Sequence, residues 1–194
     1  MTSNSSNKIG HVAIIMDGNS RWARQRNLKT IEGHKQGVNR LRDIVKYSAK
    51  SEITHLSVFA FSTENWKRSA SDVSDLMKLF LQSIIKEVPE LIENKVQLNF
   101  IGDIPRFSKS LVSQINSAMK DTQAKKPNLN LNVAISYGGR WDILNAIKRI
   151  KDHKINTDKL SEDDFSNLLS TSDFPDPDLL IRTGAVSYTH LRAH

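Results

Sequence analysis

Five short apolar runs alternate with segments of helical period, and this alternation constrains the fold more than any other feature of the chain. Residues 11–17 (HVAIIMD), 55–62 (HLSVFAFS), 96–103 (VQLNFIGD), 129–136 (LNLNVAIS) and 178–183 (DLLIRT) have the length and patterning of strands. The first two are apolar on both faces, as expected for strands covered by helices on each side of a parallel sheet. The third and fourth alternate, with Leu129, Leu131, Val133 and Ile135 on one face and Asn130 and Asn132 on the other. Between the runs, Val38, Leu41, Val45 and Ala49 form a helical stripe in a segment starting near Gly33. A broader stripe runs from Val73 through Leu76, Phe80, Ile84 and Val88 to Ile92. It opens after Ser69-Ala70-Ser71-Asp72, a capping-box spacing, and Pro89 is expected to kink it. Residues 108–124 and 140–152 also carry a helical pattern. The pattern predicts an α/β fold, a mostly parallel central sheet flanked by helices. No repeat or linker divides the 194 residues, a length that suits one domain.

Composition narrows the function classes. Cysteine is absent, which excludes a disulfide framework and thiol chemistry. The N-terminus, Met-Thr-Ser-Asn-Ser-Ser-Asn-Lys, lacks the apolar segment of a secretory signal, and no stretch approaches the ~20 apolar residues of a membrane span. A soluble, cytoplasmic protein is expected, peripheral to a membrane at most. The net charge of +7 points to an acidic partner: nucleic acid, anionic lipid or a phosphorylated substrate. The placement of the arginines must choose among these.

That placement follows the strands. The first run is followed by Asp17-Gly18-Asn19-Ser20-Arg21-Trp22 and the second by Thr63-Glu64-Asn65-Trp66-Lys67-Arg68. The third ends in Gly102-Asp103, the fourth leads into Tyr137-Gly138-Gly139-Arg140-Trp141-Asp142, and the fifth into Arg182-Thr183-Gly184. In a parallel sheet all these segments share the carboxyl edge, where open α/β folds bind ligands. Arg21, Arg68, Arg140 and Arg182 offer forked donors for phosphate oxygens. Gly18 lets backbone N–H groups approach an anion, and a helix beginning near Ser20 adds its positive end. Asp17 amid these cations makes sense as a magnesium ligand, since magnesium is usually held by one or two carboxylates plus substrate phosphates. The residue types fit a diphosphate–magnesium rim, with the Val73–Ile92 stripe as a wall for a hydrocarbon tail.

Each feature alone has a plainer reading. Asp17-Gly18-Asn19 is also a turn with an N-cap, and Gly138-Gly139 is also a loop. The tryptophans could cap the core, His34 could be a surface histidine, and the stripe could be ordinary core. The convergence of five segments favours the site.

In combination these residues resemble a known family. His11-Val12-Ala13-Ile14-Ile15-Met16-Asp17-Gly18-Asn19-Ser20-Arg21-Trp22 is similar to the signature opening of the cis-prenyltransferases, the undecaprenyl diphosphate synthase family. Gly33-His34-Lys35, Ala60-Phe61-Ser62-Thr63-Glu64-Asn65-Trp66, Tyr137-Gly138-Gly139-Arg140 and Leu180-Ile181-Arg182-Thr183-Gly184 resemble its later motifs in order. The resemblance implies successive condensation of isopentenyl diphosphate onto an allylic diphosphate such as farnesyl diphosphate. The implied product is a long-chain polyprenyl diphosphate with cis double bonds, undecaprenyl diphosphate being the expected one. By position, Asp17 resembles the essential magnesium ligand, while Gly18, Asn19, Ser20, Arg21 and Trp22 resemble the allylic diphosphate loop, with His34 nearby. Ser62, Thr63, Glu64, Trp66, Arg68 and Arg182 match further substrate contacts, Arg182 on the isopentenyl side. Asn65 is similar to the residue assigned to proton removal. An amide is a poor base, so a role in orienting isopentenyl diphosphate is the better expectation, with a diphosphate oxygen accepting the proton. A homodimer is also implied, and membrane contact through the product stays open; no nucleic-acid partner is expected, because the arginines sit at the strand rim and not on a basic helix face.

Departures and rivals complete the reading. Ser20 stands where many members have glycine, Thr30 replaces a common arginine with Lys29 as compensation, and Ser136 replaces a frequent asparagine. After Gly184 the family pattern of an acidic residue, an arginine–serine pair, a helix carrying a second metal-binding glutamate and a final strand is not followed. Residues 1–184 are therefore expected to be an incomplete domain lacking its last strand and helix. Residues 185–194 are expected to be a non-family tail of out-of-frame or assembly origin, and the 194-residue chain to be inactive and poorly soluble. An all-helical trans-type enzyme is disfavoured, because Asp163-Asp164-Phe165-Ser166-Asn167 lacks a third aspartate. Nucleotide-binding glycine motifs are absent. A non-catalytic partner subunit would lose the first aspartate motif and keep the C-terminal one, the reverse of what stands here.

Overall fold

The computed structural model describes residues 8–184. The expectations for residues 185–194 lie outside the described residues. Five parallel strands form one sheet in the order β3-β4-β2-β1-β5: β1 His11–Ile15, β2 His55–Ser62, β3 Val96–Ile101, β4 Leu129–Tyr137 and β5 Leu179–Arg182. All five coincide with the predicted runs. The expected helices are present as α2 Thr30–Ser48, α3 Ala70–Glu93, α4 Lys109–Asp121 and α5 Gly139–Asp152. Two short helices, α1 Asn19–Arg24 and α6 Glu162–Ser166, complete the set. Helix α2 begins three residues before Gly33, with Lys29 at its N-cap. Ser69 caps α3 by accepting the Asp72 N–H (3.2 Å), and Pro89 lies inside that helix, close to its end.

The two faces of the sheet are built differently. Val12 and Ile14 of β1, Leu56 and Val58 of β2, Leu98 of β3, and Leu131 and Val133 of β4 are buried in the main core. Helices α2 and α3 face several of these side chains across a cavity described below. The opposite face carries a buried polar chain that the strand patterns did not reveal. His11 Nδ1–H donates to the Pro175 carbonyl (2.6 Å), and its Nε2 accepts from Ser57 Oγ (2.8 Å). Ser57 in turn accepts from Asn132 Nδ2 (3.2 Å), and Asn132 Oδ1 accepts from Asn99 Nδ2 (3.0 Å). Ser57, Asn132 and Asn99 are direct cross-strand neighbours in the parallel register, so the chain crosses β3, β4, β2 and β1 in one direction. Asn132 is fully buried, and its hydrogen bonds are what make that burial tolerable.

Both ends of the sheet are tied by side chains. The β3 edge is covered at Leu98, whose N–H donates to the buried Thr122 hydroxyl at the end of α4 (3.1 Å). At the other end, Asp178 Oδ2 accepts the Gly10 and His11 N–H groups (2.8 Å each), docking β5 onto β1. Leu179, Leu180 and Ile181 of β5, and Ile143, Leu144 and Ile147 of α5, remain exposed.

The polar chain carries a stability prediction. Asn132→Ala leaves Asn99 and Ser57 without their buried partner and should cost about 1–3 kcal/mol. Asn130→Ala, at a partly exposed position, should cost less than about 0.5 kcal/mol. Urea denaturation of both variants checks this; equal losses would show that the ladder contributes nothing specific.

Candidate active site

Parallel strands deliver their C-terminal loops to one edge, and the loop after β1 occupies the centre of it. Gly18 adopts a left-handed conformation (φ 97°), which turns the chain from β1 directly into α1. A Cβ at Gly18 would lie 2.8 Å from the Cα of Gly184, itself at φ 96°, so the loops after β1 and β5 touch backbone to backbone. Thr183 reinforces the contact: its hydroxyl donates to the Asp17 carbonyl (2.7 Å) and accepts the Asp17 N–H (3.0 Å). Helix α1 closes onto α2 because Gly33 and Gly37 leave room for Asn19; a Cβ at Gly33 would fall 2.1 Å from the Asn19 carbonyl oxygen. Nothing in the hydrophobic pattern announced that close packing, although Gly33 belongs to a quoted motif.

The charges gather at Asp17. Its carboxylate accepts from Arg182 Nη2 (3.0 Å) and from the Gly18 N–H (2.6 Å), with Arg21 Nη2 at 3.8 Å. Burial is the largest single influence and raises its pKa. The Arg182 and Gly18 hydrogen bonds, with the charges of Arg182 and Arg21, outweigh it and hold the carboxyl below its ordinary 3.8. Asp17 is thus ionised at neutral pH, and about a third of its side chain is open to solvent. Exposed ion pairs are worth only ~0–1 kcal/mol, so this cluster positions charge more than it stabilises the fold. The N-terminus of α1 has no side-chain cap, which leaves the first N–H groups of its opening turn available to an anion. Ser20 lies within α1 and is not among the positive-φ residues, so a side chain is tolerated where the family often has glycine.

The loop after β2 forms a second group. Ser62 and Asn65 close a capping box: Ser62 Oγ accepts the Asn65 N–H (3.2 Å), and Asn65 Oδ1 accepts the Ser62 N–H (3.0 Å). Thr63 packs against Gly138, where a Cβ would meet its hydroxyl at 2.7 Å. Trp66 points inward. Its indole N–H donates to Ser136 Oγ (2.9 Å), and its ring packs edge-on against Phe61 and beside Phe107. Arg106 covers the Trp66 ring at 4.6 Å. Ser136 itself holds φ 49°, a conformation asparagine tolerates well, which rationalises the asparagine expected there. Glu64 and Arg68 are exposed, and Trp22 is half-buried beneath the guanidinium of Arg26. Tyr137 donates to the buried Asp142 carboxylate (3.1 Å), and burial together with that carboxylate pushes the phenol up to about 12. Asp142 also accepts from the Ser170 N–H and hydroxyl, fixing the start of α5.

Below the rim a half-open cavity, about 1200 Å³ when the solvent-open space along it is counted, runs between α2, α3 and the apolar face of the sheet. Asn19, His34 and Met16 line its end next to the rim; Leu76, Phe80, Ser83 and Ile84 of α3 line its length. The apolar stripe is therefore both core and cavity wall. Ser83 faces the cavity, and Leu81 packs against the core without lining it. His34 Nε2 is buried without a hydrogen-bond partner among the described residues. Burial foremost, then the Arg68 charge, lowers its pKa against an opposing pull from Asp72, so the ring is neutral at pH 7.

The structure thus brings Asp17, Gly18, Arg21 and Arg182 into one cluster, sets Asn19 and His34 in the cavity lining next to the rim, and places Ser62, Thr63 and Asn65 on the loop after β2. Among the described residues no group of three or more His, Cys, Asp or Glu side chains converges.

Comparison with known proteins agrees with this arrangement. The family model described as "Putative undecaprenyl diphosphate synthase" matches residues 15–188. The chain belongs to the undecaprenyl diphosphate synthase family. It is 45% identical over 174 residues to an isoprenyl transferase of Neisseria meningitidis serogroup A, covering 90% of this chain and 69% of that protein. It is also 45% identical over 177 residues to the ditrans,polycis-undecaprenyl-diphosphate synthase ((2E,6E)-farnesyl-diphosphate specific) of Coxiella burnetii, covering 89% and 74%. Among solved structures, lavandulyl diphosphate synthase from Lavandula x intermedia, in complex with dimethylallyl diphosphate, superposes with a TM-score of 0.84 at 34% identity. That match covers 90% of this chain and 77% of the other. A probable undecaprenyl diphosphate synthase from Campylobacter jejuni gives a TM-score of 0.73 at 30% identity, covering 91% and 75%. The chain is a member of a prenyltransferase family and adopts the fold of these enzymes. No helix among the described residues is long and apolar enough to cross a membrane.

The lowered pKa of His34 has a pH consequence. Because the folded state keeps the ring neutral, the stability from its burial is full above about pH 6.5 and falls as pH drops through 6.5 toward the folded-state pKa. A histidine NMR titration should place the His34 midpoint below 6.5, and His34→Gln should flatten the pH dependence of unfolding in that window. A midpoint at or above 6.5 would contradict the buried, neutral ring.

Proposed function

We propose that this chain condenses isopentenyl diphosphate successively onto an allylic diphosphate, farnesyl diphosphate being the expected primer, to give undecaprenyl diphosphate, the precursor of the lipid carrier of cell-wall synthesis. The observation that carries the reading is the joining of a cationic rim around Asp17 to an apolar cavity: one ligand with a diphosphate head and a hydrocarbon tail satisfies both. The Coxiella burnetii relative's name specifies farnesyl diphosphate, which supports this choice of primer.

Each residue then has a task. Arg21 and the uncapped start of α1, spanning Asn19 and Ser20 after Gly18, hold the allylic diphosphate. Trp22 follows in α1, half-buried under Arg26, and His34 offers its unpartnered nitrogen in the cavity lining next to the rim. Arg182, across Asp17 from Arg21, receives the diphosphate of isopentenyl diphosphate, with Ser62, Thr63, Glu64 and Arg68 on the adjoining loop. Trp66 supports that loop from the core. Asn65 Oδ1 is already occupied by the Ser62 N–H, so Asn65 orients substrate through its Nδ2 and accepts no proton. Condensation breaks the allylic carbon–oxygen bond, the diphosphate leaving with the electron pair. The isopentenyl double bond attacks that carbon, and a proton lost to a diphosphate oxygen leaves the new double bond.

Asp17 suits magnesium: one ionised, partly open carboxylate is the protein share expected when substrate phosphates supply the other ligands. When bound, the metal neutralises charge on the leaving diphosphate. A homodimer and contact with a membrane through the product also belong to this reading.

In a version that continues the family pattern after Gly184, Asp17→Ala should reduce turnover by about 10²–10³-fold or more, as expected when several kcal/mol of charge stabilisation is lost. Asp17→Asn should match it, because the charge is what matters. Incorporation of radiolabelled isopentenyl diphosphate is the assay, and wild-type rates in Asp17→Ala would overturn the assignment. Ser83→Trp should shorten the product while the first condensation persists; unchanged chain length would reduce the cavity to plain core.

A further inference from the structure

One residue of β4 touches the loops that leave two neighbouring strands. Ser136, the last residue but one of β4, is fully buried and has a left-handed backbone at φ 49°. Phe61 of β2 pairs with Ile135 and Ser62 pairs with Tyr137, so Ser136 is an extra residue in β4. It forms a bulge at the exit of the strand, a place where bulges commonly re-aim a side chain. Left-handed backbone is unfavourable for serine and persists only where neighbours enforce it. The loop after β3 does so here. A Cβ at Gly102 would fall 1.9 Å from the Ile135 carbonyl oxygen, and the Asp103 N–H donates to the Ser136 carbonyl (3.2 Å).

The bulge aims the Ser136 hydroxyl at the loop after β2. Its Oγ accepts the indole N–H of Trp66 (2.9 Å), a residue 70 positions away. Phe61, Phe107 and Arg106 surround the Trp66 ring, but such contacts have little directionality. The hydrogen bond is directional, so it fixes which way the indole edge points. Trp66 follows Asn65 directly, within the short helical turn Thr63–Lys67. That turn is closed from its other end by the Ser62–Asn65 capping box, which occupies Asn65 Oδ1. Two hydrogen bonds therefore orient Asn65: one inside its own loop, and one reaching through Trp66 to Ser136.

We propose that Ser136 is a positioning residue for the isopentenyl half of the site. Its hydroxyl, aimed by the bulge, holds the Trp66 indole and through it the direction in which Asn65 Nδ2 meets isopentenyl diphosphate. The inference rests on the condensation reading of the site. Ser136 touches none of the reacting atoms and acts only through Trp66.

The test is steady-state kinetics with farnesyl diphosphate, isopentenyl diphosphate and magnesium, in a version that continues the family pattern after Gly184. Ser136→Ala removes the acceptor at little change in size. Its kcat/KM for isopentenyl diphosphate should fall about tenfold, while KM for farnesyl diphosphate stays within about twofold. Ser136→Gly removes the same hydroxyl but suits a positive φ. It should therefore unfold at a higher temperature than Ser136→Ala and show the same kinetic loss. Ser136→Asn tolerates this backbone and offers the indole a side-chain carbonyl, so it should return to within about threefold of wild type. Trp66→Phe keeps a ring and loses the N–H; combined with Ser136→Ala, it should cost no more than Trp66→Phe alone. Wild-type kinetics in Ser136→Ala, equal losses for the two substrates, or recovery in Ser136→Gly would overturn the positioning role. So would a loss in Ser136→Asn as large as in Ser136→Ala, or losses that add in the double variant. In each of these cases the condensation reading stands. A version with the wild-type rim that incorporates no isopentenyl diphosphate overturns both.

Discussion

The parallel pairing of β1 with β2 on one side and β5 on the other is the constraint on which the rest of the molecule depends. Val12 stands opposite both Leu56 and Leu179, and Ile15 opposite both Phe59 and Arg182. That register brings the loops after β1 and β5 out together, so Arg182 meets Asp17 without any long-range search by flexible side chains. The backbone contact between Gly18 and Gly184, both at positive φ, is the consequence. A side chain at either position would push the two loops apart and take the arginine from the carboxylate. The geometry of this rim is therefore a property of strand register before it is a property of side chains.

The same register distributes polarity across the sheet. One face is given to hydrocarbon: Leu98, Leu131 and Val133 look into the space between α2 and α3. The other holds the chain of hydrogen bonds from Asn99 through Asn132 and Ser57 to His11 and the carbonyl of Pro175. A dry sheet with a large cavity on one side loses packing contacts there. A fully satisfied polar row on the opposite side gives the strands a second reason to keep their register. It also links the far edge strand to the segment leading into β5, so the position of Arg182 is tied to the whole sheet.

Much of this was legible in the sequence, and what was not failed for physical reasons. Strands and helices followed from periodicity because apolar runs and stripes report burial directly. The meeting of Asp17 with Arg182 followed from the loops after parallel strands sharing an edge. The burial of Asn132 was hidden, because Asn130 and Asn132 read alike in an alternating strand and only cross-strand partners distinguish them. Trp66 sits among residues expected to contact substrate, yet its indole turns inward to Ser136 and Phe61; sequence order cannot say which way a ring points. The Arg42–Glu87 ion pair across α2 and α3 was equally hidden, since its partners are 45 positions apart and each alone resembles a solvated helix face.

The central claim is that one amphiphilic ligand spans rim and cavity. A crystal structure with magnesium and a non-reactive farnesyl diphosphate analogue tests it most directly. The account predicts the diphosphate at the start of α1, within hydrogen-bond distance of Arg21, and the tail between α2 and α3 against Phe80 and Ser83. An analogue bound with its diphosphate away from Asp17 and Arg21, or with its tail outside the α2–α3 cavity, would contradict it.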